Sequence, residues 1–75
     1  MSDSSALNQH IQEKLRGHTL DEVDAVTAAR WLDEARLLAD SPHRPGKNLR
    51  YRLRMGAIAG SYQTSSGRWF IRRLP

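Results

Sequence analysis

The stretch that decides the fold reads Pro45-Gly-Lys-Asn-Leu-Arg-Tyr-Arg-Leu-Arg-Met-Gly56. Within it, Leu49 and Leu53 are four residues apart, which predicts a short helix near residues 46–55 with one narrow apolar stripe. Gly56 then follows as a helix stop, because glycine adopts the left-handed conformation without steric cost. The other side chains of this helix are strongly basic, so the helix is more than an element of the core.

A second pattern follows directly, in two segments rich in aromatic and β-branched residues near 57–63 and 68–73. They flank the polar sequence Thr64-Ser-Ser-Gly67, in which the glycine can supply a positive φ, so the pattern predicts a β-hairpin. Because Trp69-Phe70-Ile71 is a run of apolar residues, both faces of the second strand have apolar content. The sequence therefore leaves open which face of the hairpin is inward.

The first half of the chain begins with an amphipathic pattern in which Leu7, Ile11 and Leu15 recur every four residues. This spacing predicts a helix over residues 6–16, with Gly17 as its C-terminal cap. The apolar stripe must be covered by the rest of the domain, by a second copy or by a partner protein, and the sequence does not separate these. The small polar residues before this helix, 1–5, are expected to be disordered.

A stronger helix is predicted over residues 28–39, with Thr27 as its N-cap. Its alanines permit the close approach of a crossing helix, which a helix-turn-helix requires. Upstream, Thr19 and Glu22 have the spacing of a capping box and predict a single helical turn. Between the two major helices, residues 40–46 contain two prolines, a glycine, and Asp and Ser side chains that can bond to nearby backbone, so this segment is a turn.

The composition limits the classes of protein that this chain can represent. Seventy-five residues form one domain with a marginal core. The absence of cysteine excludes disulfides and thiolate metal sites, and the three histidines are too far apart to form a ligand pair, so we expect no metal and no cofactor. No segment approaches transmembrane length and the first residues do not form a signal peptide, so we expect a cytoplasmic protein without a membrane partner.

Charge is segregated along the chain. All eight Asp and Glu residues lie in the first 40 positions, where four Lys and Arg leave a net charge of −4. From Ser41 onward there are eight Lys and Arg and no acid, so this half carries +8. Such segregation places an electropositive surface on one end of a small fold, which is the surface that an anionic polymer would meet.

A basic helix followed by a basic hairpin predicts an α+β fold of the winged helix-turn-helix type. We expect about three helices followed by a C-terminal β-hairpin wing, in one domain over residues 6–75 to which the helix at 6–16 is added. Both basic elements lie in the electropositive half of the chain.

Three short motifs carry a resemblance to a known family. In order, they are Val26-Thr-Ala-Ala-Arg-Trp-Leu32, Leu49-Arg-Tyr-Arg-Leu-Arg-Met-Gly56 and Gly67-Arg-Trp-Phe-Ile-Arg72. In order and spacing they resemble the excisionase and MerR-like group of small winged helix-turn-helix proteins, which includes phage excisionases and AlpA-type regulators. The turn before the second motif is longer than is usual in this group, and the helix at 6–16 lies outside its usual domain.

The resemblance implies a bacterial or phage DNA-binding protein, associated with the nucleoid, that acts as an excisionase-like architectural factor or in transcription regulation. It also implies that the second helix enters the major groove and that the wing reaches a flanking minor groove. Arginine can bond bidentately to guanine in the major groove, and the negative potential of a narrow minor groove favours an arginine beside the hairpin turn. The candidate DNA-binding residues are Arg44, Lys47, Arg50, Tyr51, Arg54, Arg68 and Arg72.

Two alternatives remain at the level of the sequence: a protein-interaction accessory module of phage or plasmid origin without DNA binding, and RNA binding through the basic hairpin. A homodimer or a protein partner could use the helix at 6–16. An enzyme is not expected, because the serines of the hairpin lack a strand-to-helix elbow and no glycine loop for phosphate is present. Convergence of Lys47, Arg50, Arg54 and Arg68 on one surface would favour nucleic acid over a protein partner.

Overall fold

A computed structural model describes residues 4–75 and contains three helices and a three-stranded antiparallel sheet. In chain order the elements are α1 (Ser4–Gly17), β1 (Glu22–Asp24), α2 (Ala25–Glu34), α3 (Lys47–Arg54), β2 (Ser61–Gln63) and β3 (Trp69–Arg72). This is a small winged-helix-like α+β fold, as the sequence predicted, with α2 and α3 as the helix pair and β2–β3 as the hairpin. No helix in this described part of the chain is both long and apolar enough to cross a bilayer.

The core is formed by aliphatic side chains from all three helices and the sheet. It includes Leu32 of α2, Leu49 and Leu53 of α3, Ile58 before the hairpin and Ile71 of β3. Trp31 is also buried, and Trp69 packs against the core, so both tryptophans serve packing.

Helix α1 packs as an integral part of the domain. Leu7, Ile11 and Leu15 are at most 1% exposed and belong to the same core as the residues of α2, α3 and the sheet. Of the covers that the sequence left open for this apolar stripe, the structure shows the rest of the domain. The helix also begins earlier than expected, since Ser4 and Ser5 are helical rather than disordered; residues 1–3 lie outside the described residues.

Two amide side chains of α1 hold segments from the second half of the chain. Asn8 donates from Nδ2 to the carbonyl oxygen of Ala57 at 3.1 Å and accepts from the backbone N–H of Ala59 at 2.9 Å. One helical turn later, Gln12 donates from Nε2 to the carbonyl oxygen of Arg72 at 2.9 Å and accepts from the N–H of Leu74 at 2.8 Å. The polar edge of α1 thus fixes both ends of the hairpin region.

The sheet contains one strand that the sequence did not predict. Residues Glu22–Asp24 form β1 instead of the helical turn expected from the capping-box spacing, and β1 pairs with β3 so that the strand order is β1-β3-β2. In this register Val23 lies opposite Ile71, and both are buried. Burial against the last strand therefore outweighs the local helix signal.

The structure decides which face of the hairpin is inward. Ile71 is buried and Trp69 is half-buried, so their face of β3 packs on the core. On the opposite, outer face, Phe70 stacks on Tyr62 of β2 with ring centroids 5.6 Å apart. Strand β2 begins at Ser61 rather than near residue 57, because the segment before it turns through Gly60 at φ +79°.

Helix α2 is shifted towards the N-terminus relative to its predicted range of 28–39. Its N-cap is Asp24 and not Thr27: the Asp24 carboxylate accepts the backbone N–H of Thr27 at 3.4 Å. Burial acts to raise the pKa of the Asp24 carboxyl, but hydrogen bonds from Thr27 and from the backbone of Asp24 and Val26 together outweigh it and leave the pKa below its ordinary value. At the other end, the chain leaves the helix through Arg36, at φ +59°, and the N–H of Leu37 bonds to the carbonyl of Leu32 at 2.9 Å.

Of the two glycine caps predicted for α1 and α3, one is confirmed and one is wrong. Gly56 has φ +75° and ends α3, as predicted. After α1, however, Thr19 and not Gly17 takes the left-handed conformation, with φ +55°, and the N–H of Leu20 closes the helix end on the carbonyl of Leu15 at 2.9 Å. Gly17 remains the last residue of the helix itself.

Candidate functional site

The outward face of α3 carries three of the predicted site residues. Leu49 and Leu53, 0% and 2% exposed, fix the inward face. Positions three, four and seven apart share one side of a helix, so Lys47, Tyr51 and Arg54 lie together on the free side, and all three are exposed. A helix of eight residues with this many cations and no acid is weak on its own. Its two buried leucines and the turn before it hold it in place.

That turn is organised by Asp40, which the sequence analysis did not single out as a site residue. Its Oδ1 accepts the backbone N–H of Ser41 at 2.9 Å and of Gly46 at 2.8 Å, so one carboxylate joins both ends of the long turn. From the first turn of α3, Asn48 donates to the carbonyl of Ala39 at 2.8 Å. The signal available in the sequence is the composition of the Asp-Ser-Pro segment, in which Asp bonds to nearby backbone.

Arg44 is the predicted site residue that lies in this turn. Its side chain is exposed, and its backbone carbonyl accepts the N–H of Lys47 at 3.0 Å, so it immediately precedes α3. The long turn therefore extends the basic surface by one residue beyond the helix.

Arg50 takes a different course from the other cations of α3. Its Nη1 donates to the carbonyl oxygen of Pro45 at 3.0 Å, so the guanidinium folds back along the helix. It lies directly against Gly46, the N-cap, where a Cβ atom would come within 2.7 Å of Nη1. Gly46 also needs its φ of +86°, which a residue with a side chain rarely adopts.

A cleft of about 290 Å³ separates the wing turn from the two helices. Its lining residues come from the start of α2, from α3 and from the wing turn: Asp24, Ala25, Val26, Arg50, Gly67, Arg68 and Trp69. Arg50 and Arg68, which are far apart in the chain, therefore face the same space. Asp24 and Val26 are residues of this cleft that the sequence analysis missed, because their position depends on β1.

No protein-family model, no curated protein and no solved structure matches this chain. The interpretation of the site therefore depends on its own geometry and charge.

The cations of this region are not neutralised within the domain. Among residues 4–75, the ion pair present joins Arg73 to Asp21 at 3.2 Å, outside the cleft and outside the predicted set. The Arg and Lys side chains of the predicted set have no ion pair in this part of the chain. Charge left unpaired on one surface is available to an external anion.

Arg72 is the predicted residue that lies neither at the cleft nor on α3 and the turn before it. It lies on the outer face of β3, opposite Glu22 of β1, with its guanidinium carbon 4.5 Å from the centre of the Tyr62 ring. The Tyr62 hydroxyl donates to Glu22 at 2.7 Å, and this hydrogen bond raises the pKa of the phenol. Arg72, Tyr62 and Glu22 thus link side chains of all three strands on this face.

Arg68 lies on the same outer face, at the other end of β3. Its guanidinium carbon is 5.2 Å from the centre of the Phe70 ring, and its side chain is exposed beside the turn. Gly67, at φ +90°, makes that turn, and the Thr64 hydroxyl accepts the N–H of Arg68 at 3.1 Å.

The described residues contain no group of three or more His, Cys, Asp or Glu side chains able to hold a metal ion.

Proposed function

We propose that the protein binds double-stranded DNA, with α3 in the major groove and the β2–β3 wing on the flanking minor groove. Of the roles that its resemblance to the excisionase and MerR-like group implies, we propose an architectural factor or a transcription regulator of mobile-element type, acting on the nucleoid in the cytoplasm. The observation that carries the proposal is that Arg50 of α3 and Arg68 of the wing line one cleft. This cleft adjoins the unpaired cationic face of α3.

The shape of α3 supports a duplex as the partner. A single helix fits the major groove of B-DNA, and exposed Arg and Lys side chains on its free face reach phosphates and base edges there. The buried leucines and the Asp40 turn hold this helix rigidly against the domain. A rigid helix meets the groove in one orientation, which sequence recognition requires.

The wing supports a duplex over single-stranded RNA. Single-stranded nucleic acids are bound by aromatic side chains on which bases stack. The two aromatic rings of the outer face, Tyr62 and Phe70, stack on each other and are approached by Arg72 and Arg68. They are therefore occupied within the domain. The interaction-module alternative loses the helix at 6–16 as a docking surface, because the apolar stripe of α1 is buried.

The test measures the affinity of the chain for a labelled random-sequence duplex by fluorescence anisotropy across a series of salt concentrations. If Arg44, Lys47 and Arg54 each neutralise one phosphate and the cleft neutralises one or two, the slope of log affinity against log salt is about −3.6 to −4.5. Arg54→Ala is expected to lower affinity and to reduce the slope by about 0.9.

The matched control is Arg16→Ala, which removes the same charge from the exposed C-terminal turn of α1. It is expected to leave the slope unchanged, and the thermal midpoints of both variants are checked against the parent. Absence of any association with duplex at low salt, where electrostatic binding is strongest, would refute the DNA-binding function. The protein-interaction alternative would then replace it.

A further inference from the structure

We infer that the cleft between the wing turn and α3 holds a single backbone phosphate, gripped jointly by Arg50 and Arg68. This inference rests on the proposed function and assigns a division of labour within it. Arg50 is a positioning residue that fixes the register of the domain on the duplex and does not read base edges.

The geometry of Arg50 carries the first step. An arginine that reads guanine presents two parallel N–H groups to the O6 and N7 atoms of the base edge. Arg50 instead uses Nη1 on the carbonyl of Pro45 and folds back against Gly46. A guanidinium has five N–H donors, so others remain for the cleft that the side chain lines. A tethered side chain of this kind suits a fixed phosphate better than a choice among base edges.

The charge of the cleft carries the second step. Its lining contains two arginines and one acid, Asp24. The Asp24 carboxylate is engaged as the N-cap of α2, on the N–H of Thr27, and it forms no ion pair with Arg50 or Arg68. Arg50 and Arg68 therefore line this space without an ion pair, and an anion that enters it would accept charge-assisted hydrogen bonds from both side chains.

The size and setting of the cleft indicate the source of the phosphate. At about 290 Å³, it lies at or below the lower limit of pockets that enclose small molecules. It is open, and it is lined by the same helix whose free face carries Lys47 and Arg54. A phosphate of a nucleic-acid strand that crosses from α3 to the wing fits this setting, because the same strand would also contact the basic free face of α3. A free phosphate would contact the cleft alone.

The experiment compares salt slopes for duplex binding by the parent chain, Arg50→Gln, Arg68→Gln and the double variant. If the two arginines share one phosphate, either single variant still neutralises it and keeps most of the slope, whereas the double variant loses about 0.9 in total. The matched control is the pair Lys47→Gln and Arg54→Gln. These positions lie about 10 Å apart along the helix axis. Replacing both is expected to reduce the salt slope by about 1.8, as the loss of two separate phosphate contacts does.

Several results would overturn the inference while leaving DNA binding intact. One is a loss of about 0.9 for each single variant and about 1.8 for the double variant, which would show two separate phosphates. Another concerns a duplex that the parent chain selects from a random pool, compared with a scrambled duplex of the same composition. If Arg50→Gln lowers the preference for the selected duplex tenfold, Arg50 reads a base. A third is displacement of DNA by inorganic phosphate at constant ionic strength, which would show a free-phosphate site. A parent chain that binds no duplex would refute both the inference and the proposed function.

Discussion

Replacing Gln12 by alanine is expected to destabilise the domain by about 2–4 kcal/mol. The change removes two hydrogen bonds, to the carbonyl of Arg72 at 2.9 Å and from the N–H of Leu74 at 2.8 Å. Each backbone group left without a partner away from water costs about 1–3 kcal/mol, and these two are partly buried, so the lower part of that range applies to each.

This loss is large relative to the total. At about 0.05–0.15 kcal/mol per residue, a chain of this length has a free energy of unfolding of roughly 4–11 kcal/mol. For a domain of this size, each kcal/mol lowers the thermal midpoint by roughly 4–8 °C, so the variant is expected to melt about 8–32 °C below the parent. Because neither hydrogen-bond partner of Gln12 lines the cleft, this loss reports on the attachment of β3 and not on the candidate site.

Urea unfolding followed by tryptophan fluorescence measures the change directly, since Trp31 is buried and Trp69 is half-buried. The matched control is Gln9→Ala on the same helix. Gln9 is exposed and bonds only to the side chain of Glu13, so its replacement is expected to change the free energy of unfolding by no more than about 0.5 kcal/mol. If the two variants have the same stability, the amide of Gln12 does not hold the C-terminal strand and the reasoning is wrong.

Two further predictions concern single positions. Asp24→Ala is expected to lower the free energy of unfolding by about 0.5–2 kcal/mol at neutral pH, while Asp24→Asn keeps the cap. Because the folded pKa of Asp24 is depressed, its electrostatic contribution is present above the unfolded pKa, near 3.8, and is lost as the pH falls through the lower folded pKa; urea titrations across this range should show the gap to alanine closing. Gly17→Ala is expected to raise the thermal midpoint, because a Cβ at Gly17 meets no atom within 4 Å. Gly60→Ala is expected to lower it, because Gly60 has φ +79° and a Cβ there would lie 2.7 Å from the carbonyl oxygen of Arg72. Equal melting of the two glycine variants would contradict the backbone argument.

The elements that sequence patterns predicted well are those fixed by neighbours in the chain. Leu49 and Leu53 belong to one helix whatever else the chain does, and Gly56 and Gly67 supply positive φ where a helix stops and a hairpin turns. Each of these choices depends on residues within a few positions, which is the range over which periodicity and turn chemistry operate.

The elements that were missed depend on distant contacts. Val23 is a strand residue because Ile71 lies beside it, and nothing within ten positions signals that pairing. Similarly, α2 ends at Glu34 although the residues that follow are good helix formers, because the chain turns at Arg36 and Leu38 packs against the core. Tertiary packing overrides local propensity at both places.

The candidate site shows the same division. Its basic composition could be read directly from the sequence, but which cations meet could not. Arg68 and Arg72 occupy equivalent positions on one strand face, yet one borders the cleft and the other covers Tyr62 opposite Glu22. The difference arises from β1, which brings an acid to one end of β3 and the start of α2 to the other.

The position of β3 in the middle of the sheet governs how the chain folds. The strands β1 and β2 both pair with β3 and not with each other, and Val23 and Ile71 are separated by about 50 residues, so closing the sheet carries the entropy of a long loop. The wing hairpin can form early from local contacts, but β1 has no partner until that hairpin arrives. A fragment cut at Gly67 would lose the central strand, the backbone carbonyl that accepts from Gln12 and one wall of the cleft together. Because the same strand supports both the sheet and the cleft, we expect the fold and the site to be lost in one cooperative transition.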